Sequence, residues 1–168
     1  RIANTGNILF QSGTGIATSG GNILALQLGS GNVTNDGTLN ALAGGVQLAT
    51  TAGTVTSSST VNAGDFTATA QTLVDLQAGF TSNGTTTIIT ASTGNVILAG
   101  GVTFTNAGGN NVTINAVTDI DINASFTTTG SGPIDFTATN SGGTASVEAL
   151  TLSTGTLLNT NGGSVNLS

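Results

Sequence analysis

The stretch NVTINAVTDIDINASFTTTG, residues 111–130, contains three short strands in succession. In its first part Val112, Ile114 and Ala116 alternate with Thr113 and Asn115, the period of two that turns one face of a strand inward and the other toward water. A second strand runs from Asp119 to Ala124 with Ile120 and Ile122 inward, and a third from Phe126 to Thr129. The same order recurs on both sides. Upstream it is filled by Thr87 to Ala91, Val96 to Leu98 and Val102 to Thr105. Downstream it is filled by Ile134 to Ala138, Ala145 to Ala149 and Thr156 to Asn159, with a loop at Asn140 to Thr144 absorbing the extra length.

Five-residue landmarks punctuate the chain: an apolar residue, three mostly small polar residues, then Gly. They begin at Ile2, Ile16, Val33, Val55, Phe80, Phe104, Phe126 and Leu158, separated by 14, 17, 22, 25, 24, 22 and 32 residues, with Ser59 replacing the Gly in the fourth. The spacing predicts about seven or eight coils of roughly 22 residues, the first two shorter and with room for only two strands. A second mark is Gly-Asn before an apolar strand start: Gly6-Asn7, Gly21-Asn22, Gly31-Asn32 and Gly94-Asn95. These read as corners, because Gly and Asn tolerate left-handed backbone angles and an Asn side chain bonds nearby backbone.

A unit of this size with one apolar face per strand cannot bury that face alone, whereas coils wound over one another enclose a continuous core. Each strand then pairs with its equivalent one coil away. The pattern predicts a core ladder of Phe80, Phe104 and Phe126, with Thr81, Thr105 and Thr127 beside them facing outward. The rival all-β reading, an antiparallel sandwich or barrel, also uses many short strands and Gly-rich turns. It lacks support from the usual Trp, Tyr or Pro at fixed places and does not call for one repeated corner.

Composition agrees with an all-β chain and narrows its functions. Across 168 residues there is no Cys, His, Met, Trp, Tyr or Lys, a single Arg at position 1, 26 Gly and one Pro. Strong helix formers are nearly absent, while Val, Ile, Thr and Phe are plentiful. At 37 % hydrophobic residues and a mean hydropathy of +0.28 the chain can bury a core, which separates it from disordered low-complexity segments. Seven acids against Arg1 give a net charge of -6, which repels a nucleic-acid backbone and an anionic membrane. No apolar run reaches the roughly 20 residues that would insert into a bilayer.

The Gly-Asn-Val/Ile starts, the Val-x-Leu and Ile-x-Ile strands and the Thr-x-x-Gly closings resemble the haemagglutinin-type and autotransporter-type repeat regions of large bacterial surface proteins. The resemblance covers essentially the whole chain. It implies a right-handed parallel β-helix, location at the cell surface, and service as an adhesin or as a non-catalytic stalk. The family's shafts normally carry an end cap, and none is legible here. Residues 1–168 therefore read as one β-solenoid domain, either a segment of a longer chain or a subunit stacking on identical subunits end to end, with a host or matrix surface as a further partner.

Residues for chemistry are few. Asp119 and Asp121 alternate on one strand and would point the same way roughly 7 Å apart, the one candidate pair for a carboxylate site or a Ca²⁺ site. Asp75 and Glu148 would join them if they take the same outward place on neighbouring coils; the plain alternative is a solvated acidic stripe. No His, Lys or Tyr stands ready to complete a catalytic group, so neither enzyme activity nor a cofactor is expected. Asp36 and Asp65 lie beside Gly in apparent turns, where Asp serves the backbone. Outward Thr-x-Thr pairs at Thr67 and Thr69, Thr103 and Thr105, and Thr127 and Thr129 raise an alternative, a glycan- or ice-binding face. Ser82, Asn115, Asp135 and Asn166 interrupt that array, and outward Thr also simply favours strands. Four Asn-x-Ser/Thr triplets, at Asn32, Asn83, Asn111 and Asn123, are what so Asn- and Thr-rich a chain generates by chance and are not read as glycosylation sites.

Overall fold

Alternation within residues 111–116 puts Val112, Ile114 and Ala116 inside, and in the computed structural model all three are exposed by 2 % or less. The structure describes residues 1–99, 103–107, 111–129, 132–139, 150–152, 158–159 and 164–167. Among them every strand pairing is parallel and joins a strand to its equivalent in the next coil. Sheet A consists of Ile2–Asn4, Ile23–Gln27, Val46–Thr50, Phe66–Ala70, Thr86–Ala91, Asn111–Ala116, Ile134–Ala138 and Val165–Leu167. Sheet B consists of Ile8–Phe10, Val33–Asn35, Thr54–Ser57, Leu73–Leu76, Asn95–Leu98, Ile120–Ile122 and Leu150–Leu152. Sheet C consists of Gly15–Ala17, Thr38–Ala41, Val61–Ala63, Phe80–Ser82, Thr103–Asn106, Ser125–Thr128 and Leu158–Asn159. The chain visits A, B and C in turn. This is a parallel β-solenoid, and eight strands stacked in sheet A make it roughly 35 Å tall.

Coil length follows from register. Ile2 pairs with Ala25 and Ile23 with Val46, each a step of 23 residues. Val46 pairs with Phe66 and Phe66 with Thr87, steps of 20 and 21. Thr86 pairs with Asn111, Val112 with Ile134 and Ile134 with Val165, steps of 25, 22 and 31. The short, two-stranded coils expected at the N-terminal end are not found, for the first two coils each carry three strands. The reason is that the five-residue landmark belongs to no single place. Ile2 lies in sheet A, Ile16 in sheet C, and Val33 and Val55 in sheet B, so intervals of 14 and 17 measured the distance between different sheets. In the last coil Leu150–Leu152 takes the place beside Ile120–Ile122, whereas Ala145 to Ala149, the loop at Asn140 to Thr144 and Glu148 lie outside the described residues.

Inward residues form rows along the stack. In sheet B the row Ile8, Val33, Val55, Val74, Val96 and Ile120 is exposed by no more than 5 % at any place. Burying each such side chain contributes about 1.5–3 kcal/mol. Sheet C carries Leu39, Val61, Phe80, Phe104 and Phe126 in one row. Ring centroids there lie 4.8 Å apart from Phe80 to Phe104 and 5.2 Å from Phe104 to Phe126. Sheet A adds Phe66, 4.8 Å from Phe80, and Phe136, 6.2 Å from Phe126, so five rings fill one stretch of core.

Buried polar groups bond to the neighbouring coil. Thr50 donates to Gln27 Oε1 at 3.0 Å, and Asn35 Nδ2 donates to Ser57 Oγ at 2.9 Å. Ser82, expected outward, is 1 % exposed and pairs with the Thr87 hydroxyl at 2.7 Å. Among the described residues Asn35 Oδ1 is the one buried side-chain oxygen or nitrogen with no partner.

The corners work differently from the sequence expectation. Among the described glycines only Gly13 has a positive φ, 77°, so Gly6, Gly21, Gly31 and Gly94 are not held there by left-handed angles. Close approach of stacked backbones requires them instead. A Cβ on Gly94 would meet the Thr72 carbonyl oxygen at 1.9 Å, and one on Gly31 would meet Gly6 at 2.7 Å. The Asn residues likewise reach across coils rather than along the chain. Asn7 Oδ1 accepts from the Asn32 backbone N–H at 2.9 Å, Asn32 Oδ1 from Thr54 at 3.0 Å, and Asn22 Oδ1 from Gly45 at 2.8 Å. Asn95 donates its own backbone N–H to Thr72 O at 3.1 Å.

Candidate functional site

Asp119 and Asp121 flank the inward Ile120, and both are half-exposed. Asp121 lies within the strand Ile120–Ile122, whereas Asp119 is the corner residue before it and offers its carbonyl to Val96 N–H at 2.9 Å. Asp75 shares the outward row of Asp121, but Ile97 stands between them. Two coil steps separate the carboxylates by about 10 Å, too far for one small cation to bridge them directly. Asp75 bonds Gln77 Nε2 at 2.7 Å instead. Among the described residues no group of three or more His, Cys, Asp or Glu is gathered in one place.

Thr side chains divide among the sheets. Thr67 and Thr69 face outward from sheet A between Gln47 and Ala49 on one side and Ile88 and Thr90 on the other. Sheet C is more regular, with the outward row Asn40, Asn62, Thr81, Thr105 and Thr127 stacked in register. Thr103 adds a second outward place next to Ser125. Thr129 lies beyond the end of Ser125–Thr128. The described outward places of sheet C carry no charged side chain, whereas Asp75 and Asp121 lie on sheet B and Asp135 on sheet A.

A concave place arises where the chain turns from sheet C to sheet A. Between Ala63 and Phe66 that turn takes two residues, Gly64 and Asp65, while the preceding coil uses 42–45 and the following coil 83–85. The short corner is recessed between longer neighbours, leaving a notch of about 350 Å³ lined by Asn22, Leu42, Asp65, Asn83 and Thr85 among others. Stacked glycines form its floor: Gly64 donates to Gly44 O at 2.6 Å and Gly84 donates to Gly64 O at 2.8 Å. A Cβ at Gly64 would stand 2.3 Å from Gly44 O, and one at Gly84 would reach Asp65 Oδ1.

Asp65 Oδ1 accepts three hydrogen bonds from the next coil: the backbone N–H groups of Thr85 at 2.7 Å and Thr86 at 2.9 Å, and the Thr85 hydroxyl at 3.3 Å. Asp65 thus serves backbone, as a turn Asp was expected to, but the backbone belongs to the following coil. Asp36 similarly accepts from Ser58 Oγ at 2.6 Å, one coil on. None of the three bonds to Asp65 reaches its Oδ2. Neither the notch nor the roles of Leu42 and Asn83 were anticipated. The legible signal was the shortest coil step, Val46 to Phe66, once register is known. No protein family, curated protein or solved structure matches this chain.

Proposed function

We propose that the chain is a non-catalytic structural and adhesive shaft of an extracellular bacterial surface protein or filament. The observation that carries this reading is the unbroken cross-coil register of all three sheets, which converts sequence length directly into rod length. Corners support it: Asn7, Asn32, Asn22 and Asp65 spend their side-chain oxygens on the next coil. The resemblance of the Gly-Asn-Val/Ile corners to surface-exposed repeat regions supports the location and the right-handed winding. Absence of Lys, with Arg only at position 1, leaves almost no tryptic site, a property suited to exposure outside the cell. Identical subunits stacked end to end, or further coils of one chain, are the partners this reading assigns, because solenoid ends present unpaired strand edges.

Electron microscopy and force spectroscopy test the shaft. Stiff rods whose contour grows by about 4.8 Å per coil added by duplication are expected; flexible or collapsed particles would sink the reading. A second reading, a ligand-binding solenoid, is favoured by the uncharged Asn40, Asn62, Thr81, Thr105 and Thr127 row of sheet C. A thermal-hysteresis assay and a glycan array, each compared with a variant carrying Lys at Thr81 and Thr105, decide it: no signal to lose removes this reading.

A further inference from the structure

The geometry points to the notch over Asp65 as a binding site for a single saccharide ring bearing neighbouring hydroxyls. It supplies the adhesive half of the proposed function and rests on that reading only for where such a sugar would be met. The depth is built in by the two-residue corner at Gly64 and Asp65, and glycines at 44, 64 and 84 keep the floor clear of side chains. A volume of about 350 Å³ lies at the small end of ligand sites, enough for one ring.

The walls carry what a sugar needs. Three donors from the following coil hold Asp65 Oδ1, which immobilises the carboxylate and leaves Oδ2 to accept a hydroxyl proton. Asn83, its backbone N–H fixed on Ala63 O at 2.9 Å and Gly64 O at 3.1 Å, offers an amide that both donates and accepts, suited to an adjacent hydroxyl. Leu42, 47 % exposed, gives the apolar contact that the C–H face of a pyranose covers in place of water. An ammonium or guanidinium group would use Asp65 and leave Asn83 and Leu42 idle, so a cationic side chain is the competing occupant.

The test is an amide-resolved NMR titration of the isotopically labelled chain with the methyl glycosides of glucose, galactose and mannose, and with N-acetylarginine amide, at millimolar concentration in low and high salt. At least one glycoside is expected to shift the amides of Asp65, Asn83, Gly84 and Thr85 equally at both salt concentrations. The Asp65→Asn variant should weaken that glycoside about tenfold, the loss of one charge-assisted hydrogen bond. Its fold should survive, because Asn22 Oδ1 already caps Gly45 N–H at the equivalent place at 2.8 Å. Should its melting temperature nonetheless drop, Asn83→Ala provides the same readout without touching that cap. The inference is overturned if no glycoside shifts these amides, if only the arginine amide does and high salt abolishes it, or if neither substitution weakens binding. Rod dimensions in the microscope are unaffected by any of these outcomes, so failure here is distinguishable from failure of the shaft.

Discussion

Two inward rows of the same solenoid solve the packing problem with different chemistry. In sheet B one row passes from Phe10 through Asn35 and Ser57 to Leu76 and Leu98, apolar except where two polar side chains bond each other across coils. In sheet C the row runs Leu39, Val61, Phe80, Phe104 and Phe126, without a polar atom and ending in stacked rings. Both are buried to within 5 % exposure. The difference shows that a solenoid row does not require one residue type. What each place requires is a match with the places directly before and after it, whether by hydrogen bond or by shape.

Breaking the aromatic row should have the largest effect. Phe104 lies between two rings and is fully buried. Its replacement by Ala should lower unfolding free energy by about 3–5 kcal/mol, because coils on both sides resist collapse into the void. A denaturant titration followed by circular dichroism measures it, and a shift within error would mean that the rings are not packed as described. Next comes the corner: Gly94→Ala forces a Cβ against Thr72 O, and overpacking of this kind costs about 1–3 kcal/mol. Thermal melting resolves that loss, whereas an unchanged midpoint would show that the stacked backbones are farther apart.

The polar pair sharpens the comparison further. Ser57→Ala deprives Asn35 Nδ2 of its 2.9 Å acceptor and leaves only Ser59 O at 3.5 Å, a loss of about 1–2 kcal/mol. Changing both Asn35 and Ser57 to Leu copies the Leu76 and Leu98 arrangement of the same row and should restore stability to the parent level or above it. A double-mutant cycle in which the two changes are simply additive would refute the cross-coil pairing. The smallest effect is expected outside: Thr105→Val on the outward row of sheet C should alter stability by less than about 0.5 kcal/mol, as read by the same denaturant midpoint.

Legibility in the sequence followed distance along the chain. Within a strand the alternation of Val112, Ile114 and Ala116, or of Ile120 and Ile122, is a local property, and the structure turns those residues inward. The Phe80, Phe104 and Phe126 ladder was legible because its intervals of 24 and 22 residues come close to whole coils. The first two coils were misjudged because Ile2, Ile16 and Val33 look alike in sequence yet belong to three sheets. Asp119 and Asp121 were placed correctly on one side of Ile120, but whether Asp75 joins them depended on the number of coils between, which alternation does not encode.

By itself the sequence determined that this chain is all-β, that its strands are short and half-buried, that one coil takes about 22 residues, and that its corners fall at Gly-Asn. Those properties arise from side-chain period and from residues adjacent to one another. Only the tertiary structure decided which strand stacks on which, why glycine is needed at Gly31 and Gly94, and that a two-residue corner leaves a notch beside Asp65. The physical reason is that each of these depends on contact between residues about 20 positions apart, where register, not local preference, sets what touches what.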